Sequence, residues 1–144
     1  MTNFAIYVAA ILNLLPAVGR SRAETIARQI DTAARNVDDG LMLVVINRRE
    51  SDFSAAVERC DVTGDGGRAI SAYQLHPHLL GRYSREQVCQ DPVLAARIAL
   101  WTLGRDGTPA ERFGRYAGRS TQDRKIVQRV QDYEAVQRVK DSAN

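Results

Sequence analysis

Apolar positions along the chain recur mostly at helical spacing. Phe4 to Leu15 is apolar except at Asn13, and the run extends through Pro16, Ala17 and Val18. It is short for a membrane-spanning helix and suits the core of a signal peptide. Ala17 and Gly19 are small residues at plausible cleavage positions, but no Lys or Arg precedes the run. Residues 1–19 therefore read as a signal peptide, an anchor with membrane association, or a first helix packed on the domain. Ala23, Ile26, Ala27, Ile30, Ala33, Ala34 and Val37 then predict an amphipathic helix, broken at Asp38-Asp39-Gly40. Leu41 to Ile46 is apolar on every side. If helical, such a run is a central helix buried all round.

The pattern fades from Ser54 to Gly67. Gly64-Asp65-Gly66-Gly67 predicts a flexible turn, with Val62–Thr63 and Ala69–Ile70 as the arms of a short hairpin. Helices resume at three signals. Ser84-Arg85-Glu86-Gln87 reads as a capping box, Asp91-Pro92 as a helix start, and Thr108-Pro109-Ala110-Glu111 as a second box with Pro. Gly104 is a natural stop for the apolar helix from Val93 to Leu103. Ile126, Val130, Tyr133 and Val136 mark a last helix on a charged background. The expected class is α+β, predominantly α, with a small β-hairpin or irregular loop near residues 61–70. Residues 20–144 are expected to form one domain.

Composition changes this picture little. The chain has 144 residues, 44% hydrophobic and 26% charged, which fits one globular unit with its own core. Aromatic residues are only 6%, so Ala, Val, Leu and Ile supply most of the core. The net charge of +3 is too small to indicate nucleic acid. The Arg- and Lys-containing tail from Arg119 to Lys140 also holds Asp123, Asp132, Glu134 and Asp141, as a solvated helix face does. A mild positive balance equally suits an acidic cell-wall polymer. Cys60 and Cys89 cannot make a structural zinc site unaided. Their polar, loop-like surroundings favour a disulfide over two free thiols.

The candidate chemistry begins at Arg49-Glu50-Ser51-Asp52-Phe53. A glutamate directly after a buried helix sits where desolvation raises its pKa. A carboxyl kept protonated near neutrality can donate a proton to a leaving oxygen, as glycoside cleavage requires. Taken alone, Glu50 beside Arg48 and Arg49 reads as a salt-bridged surface residue rather than as an acid. Downstream stands Gly64-Asp65-Gly66-Gly67-Arg68-Ala69-Ile70-Ser71-Ala72-Tyr73-Gln74-Leu75-His76-Pro77. Arg-Glu-Ser-x-Phe followed by small-small-aromatic-Gln-Leu-x-Pro resembles the lytic transglycosylases and goose-type lysozymes. The resemblance runs from about Ala23 to Gly118.

It implies a lysozyme-like, mainly helical fold that cuts peptidoglycan between N-acetylmuramic acid and N-acetylglucosamine. Glu50 matches the general acid, Ser51 the serine after it in the cleft, and Gln74 the glutamine shaping the glycan site. Tyr73 takes the position beside it, as sugar contact or core aromatic. Arg115-Tyr116-Ala117-Gly118 resembles the later Tyr-Asn-Ala-Gly, with Tyr116 in place of Asn as a glycan contact. Ser71 stands where the family usually has Gly. Asp65 matches the Gly-Asp-rich turn of goose-type lysozymes, where an aspartate helps position water; their further Asp is here His76. Asp52 and Asp61 match no motif position.

The resemblance thus implies lytic transglycosylation to a 1,6-anhydromuramyl product. A hydrolytic lysozyme using Asp65 and a non-catalytic peptidoglycan-binding module are the alternatives. His76 and His78 lack an evident third metal ligand, and no metal or organic cofactor is expected. The expected partner is the glycan strand, not nucleic acid, and the expected state a monomer. The setting is periplasmic, secreted or envelope-associated, or a phage particle.

Overall fold

In the computed structural model, which describes residues 1–143, helix α3 (Val37–Ser51) is the element on which the others assemble. Its stretch from Asp39 to Asn47 is buried without interruption. Helices α1 (Asn3–Leu14), α2 (Arg20–Ala33), α6 (Pro92–Leu103) and α8 (Arg124–Ser142) all pack against it. The apolar run from Leu41 to Ile46 is therefore a helix with neighbours on every side, because no face of it can be left to water.

The helix begins earlier than the sequence suggests. The expected break at Asp38-Asp39-Gly40 lies inside its first turns, and the chain instead turns at Ala34–Asn36. Asn36 caps the helix, its Oδ1 accepting from the Asp39 amide at 2.8 Å. The two aspartates then sit at the positive end of the helix, where acidic groups are favoured. Gly40 is tolerated because it gives space rather than a turn: a Cβ there would run into the Tyr7 ring of α1.

Helix α1 buries Ile6, Tyr7, Val8, Ala10 and Ile11 against the core. No helix among the described residues is long and apolar enough to cross a membrane. Both expected capping boxes are present, at Ser84 for α5 (Arg85–Gln90) and at Thr108 for α7 (Pro109–Ala117). Helix α6 stops at Gly104, whose φ of 70° is the left-handed conformation that favours glycine.

The fold is predominantly α, and the β component is smaller than expected. Among the described residues there is no sheet, only isolated bridges pairing Gly64 with Ala69 and Ile70 with Leu75. The Val62–Ile70 hairpin does not form. Asp65–Gly67 is a tight 3-10 turn between the first bridge partners, and Val62 is exposed, so the first arm has no apolar face to bury, although Ala69 and Ile70 of the second are buried. Cys60, just past the short helix α4 (Ala55–Glu58), is joined to Cys89 in α5 by a disulfide spanning 29 residues. Closing a loop of that length is worth about 3 kcal/mol in the chain-entropy model. It ties the irregular 61–84 segment to the helical body at both ends.

Candidate active site

The end of α3 is fixed from three sides. Asp52 and Phe53 follow it in left-handed conformations, with φ of 52° and 61°. Phe53 turns into the core, only 1% exposed, and anchors the turn. Arg22 of α2 clasps it, Nε donating to the Phe53 carbonyl at 2.9 Å and Nη2 to Glu58 at 3.0 Å. Glu50 thus projects from a helix terminus whose backbone cannot drift.

Glu50 lines a groove of about 700 Å³, with Asp65, Gln74 and Tyr116 on the same walls. Its side chain keeps 23% of its exposure. The adjacent arginines do not pair with it: Arg48 reaches Asp52, and Arg49 holds Asp132 of α8 at 2.6 Å. Its partner is Arg129 of α8, whose Nη2 donates to Glu50 Oε1 at 2.6 Å. Burial pushes the Glu50 pKa up from the ordinary glutamate value, against the pull of Arg129, Lys125, His76 and Arg119. The negative end of α3 acts in the same upward direction.

The other sequence candidates divide. Gln74 faces the groove from a turn built by Ser71. Ser71 has φ 69°, and its Oγ accepts from the Tyr73 amide at 3.2 Å. Its carbonyl accepts from Gln74 Nε2 at 3.0 Å, so backbone and glutamine are held together. A Cβ on Gly64 would collide with Gln74 Oε1, so the glycine makes room for that amide. Tyr116 lines the groove, and its hydroxyl is spent on the Tyr73 carbonyl at 2.5 Å. Burial, then the nearby Glu50 charge, pushes its pKa well above the ordinary tyrosine range. Asp65 is largely exposed on the rim, 3.7 Å from His76 Nδ1.

Two expected contacts are corrected. Tyr73 is not a sugar contact: it is only 2% exposed. Its hydroxyl lies beside the Asn47 amide in the core, without a well-formed hydrogen bond. Alternation in the turn sends Gln74 outward and Tyr73 inward. Ser51 is half-buried and does not line the groove; its Oγ donates back to the Asn47 carbonyl at 2.9 Å, closing the last turn of α3. Among the described residues no group of three metal-ligating side chains includes His76 or His78.

Arg129 and Lys125 were hidden in the charged tail. The signal for Arg129 was its place three residues after Ile126 and seven before Val136, on the buried stripe of α8. An arginine on an apolar stripe demands a partner. Five cations (Arg49, Arg115, Arg119, Lys125, Arg129) and two carboxylates line the groove. With neutral histidines that formal +3 equals the net charge of the whole chain, so the basic excess is concentrated where Glu50 is.

Searches against protein-family models, curated proteins and solved structures return no match for this chain.

Proposed function

We propose that the groove holds a peptidoglycan glycan strand and that Glu50 protonates the oxygen between N-acetylmuramic acid and N-acetylglucosamine. The observation that carries this reading is the Glu50 carboxyl itself. It stands at the end of a buried helix, faces a groove, and is made a weaker acid by burial. A carboxyl of that kind retains its proton long enough to give it to a leaving alkoxide.

The muramyl 6-hydroxyl then attacks the anomeric carbon as the glycosidic bond breaks. The proton from Glu50 goes to the departing sugar, and the 6-hydroxyl proton returns to Glu50. The product carries a 1,6-anhydro end, and no second carboxylate is required. Two features support the family resemblance behind this reading. Ser71 adopts the left-handed backbone at the position where the family usually has glycine, and Gln74 is seated toward the groove by Gly64. The reading carries with it a cell-envelope, periplasmic, secreted or phage-particle setting.

A second reading rests on Asp65, which lines the same groove. There it would orient a water for hydrolysis, as a carboxylate facing the acid does in inverting enzymes.

Digestion of purified sacculi by the wild type and by Glu50→Gln, read by mass spectrometry, tests both. Anhydromuramyl ends from the wild type alone are expected. Reducing muramyl ends alone would transfer the assignment to hydrolysis. Glycan binding without turnover by either protein would make the domain a binding module.

A further inference from the structure

We propose that Arg129 is a carboxylate receptor: an acidic group on the incoming sugar displaces Glu50 from it, and this exchange releases Glu50 to act as proton donor. The inference rests on the glycan-cleaving reading above and names what the groove recognises, a sugar bearing a free carboxylate, such as the lactyl group of a muramyl unit from which the stem peptide has been removed.

Arg129 is 7% exposed and lines the groove. Nη2 is committed to Glu50 Oε1 at 2.6 Å. Its Nε and Nη1 are buried without any partner. A guanidinium with two unmet donors binds a planar, two-oxygen acceptor better than the one Glu50 oxygen it now holds. Most other cations of the groove are committed. Arg49 is taken by Asp132 and Arg119 by Asp123. Arg115 donates to the carbonyls of Leu103 and Asp106. Lys125 forms no ion pair among the described residues, which leaves it free to share an incoming anion.

The exchange resolves a conflict at Glu50. Burial holds a proton on Glu50 while Arg129 pulls against it, and the acid step needs that proton. With Arg129 turned to the ligand, Glu50 loses its counter-ion and gains a neighbouring negative charge. Both favour uptake of a proton from solvent, and that proton then passes to the glycosidic oxygen as the carbon–oxygen bond breaks. The charged and titratable groups that meet Glu50 are Lys125 and Arg129 of α8, His76 of the irregular segment, and Tyr116 and Arg119 at the end of α7. Arg49 and Asp65 share the groove with them. Apart from Glu50, none of these accepts a hydrogen bond from Arg129 in the structure.

The test is the titration of Glu50 in protein labelled with 13C at glutamate carboxyls, with the resonance assigned by its loss in Glu50→Gln. Titrations are run with saturating N-acetylmuramic acid, with N-acetylglucosamine, and with D-lactate. N-acetylmuramic acid is expected to raise the midpoint by about one pH unit, a tenfold change in proton affinity, while N-acetylglucosamine leaves it in place. A smaller rise with D-lactate supports a carboxylate delivered by the sugar. An equal rise supports a receptor for any carboxylate. Arg129→Lys is expected to lose most of the difference between the two sugars. Equal midpoints with both sugars in the wild type, or an undiminished difference in Arg129→Lys, would overturn the proposal. Cleavage of sacculi without the midpoint rise would sink the receptor alone; the rise without cleavage would sink the glycan-cleaving reading and leave the receptor standing.

Discussion

Helix α3 carries an acid paired to a distant arginine near each end, and the two pairs are built for different purposes. Near the start, Asp39 is held by Arg35 Nε at 2.8 Å and by Arg112 Nη2 at 2.9 Å. Arg112 is itself satisfied further by the Gly104 carbonyl at 2.6 Å. Asp39 is 4% exposed and sits at the end of the helix that favours negative charge. Near the finish, Glu50 has one arginine, that arginine has two idle donors, and the helix end disfavours its charge. The first pair leaves a single buried donor unmet, Arg112 Nε, whereas the second leaves two, Arg129 Nε and Nη1, and faces the groove. A buried acid held by two arginines is architecture, whereas one held by a single arginine with idle donors, beside a groove, is where chemistry is to be sought.

The widest separation of the two ends is expected from Glu50→Gln. It should lower turnover of sacculi by about 10³-fold, close to 4 kcal/mol of barrier, with a circular dichroism spectrum like the wild type. An active Glu50→Gln protein would erase the distinction. Asp39→Asn should do the reverse. Leaving Arg112 without its counter-charge should cost about 3 kcal/mol, a fall in Tm of about 10 °C, while activity per folded molecule persists; calorimetry and an assay well below the lowered Tm check this.

The pH profile sharpens the contrast at Glu50. Burial raises its pKa from the glutamate value of 4.5, more than Arg129 lowers it. Activity should therefore hold above the ordinary glutamate range, then decline about tenfold per pH unit beyond the raised value. Its effect on stability has a definite sign. The folded chain takes up this proton more readily than the unfolded one, so the contribution is full below 4.5 and is lost as pH rises through the raised value. Denaturant midpoints of wild type and Glu50→Gln should diverge across that window and run parallel outside it. Asp65→Asn should have the smallest effect, less than about threefold in turnover, because transglycosylation needs no second carboxylate. A loss near that of Glu50→Gln would move Asp65 into the mechanism.

Much of the helical framework was legible because its signals are local. Capping boxes at Ser84 and Thr108, the Gly104 stop and the all-apolar Leu41–Ile46 run each report on a few neighbouring residues. The start of α3 was misplaced because Asp38-Asp39-Gly40 has the composition of a turn, while its use is set by a cap at Asn36 and by Tyr7, some thirty residues upstream. The site was legible in part for the same reason. Glu50 and Gln74 stand in short motifs, and both line the groove. Tyr73 and Ser51 share those motifs and serve the core and the helix end instead, a choice of facing that motif letters do not encode. Arg129 lies 79 residues from its partner, and only its position on an apolar stripe hinted at burial.

The manner in which α8 is attached carries one more consequence. That helix buries only Ile126, Arg129 and Val136. Its ion pairs to α3 are Arg49–Asp132, Arg129–Glu50 and Lys140–Asp38, running antiparallel along the seam. The Arg49–Asp132 and Lys140–Asp38 ties are partly open to solvent, so dissolved ions weaken them, with a screening length near 8 Å at physiological ionic strength and about 3 Å at 1 M. The more sheltered Arg129–Glu50 tie is weakened far less. One wall of the groove is thus fastened by charge while the floor beneath it is fastened by oil. Brine should slacken the wall well before it disturbs the floor, making the width of the cleft a property of the surrounding electrolyte as much as of the chain.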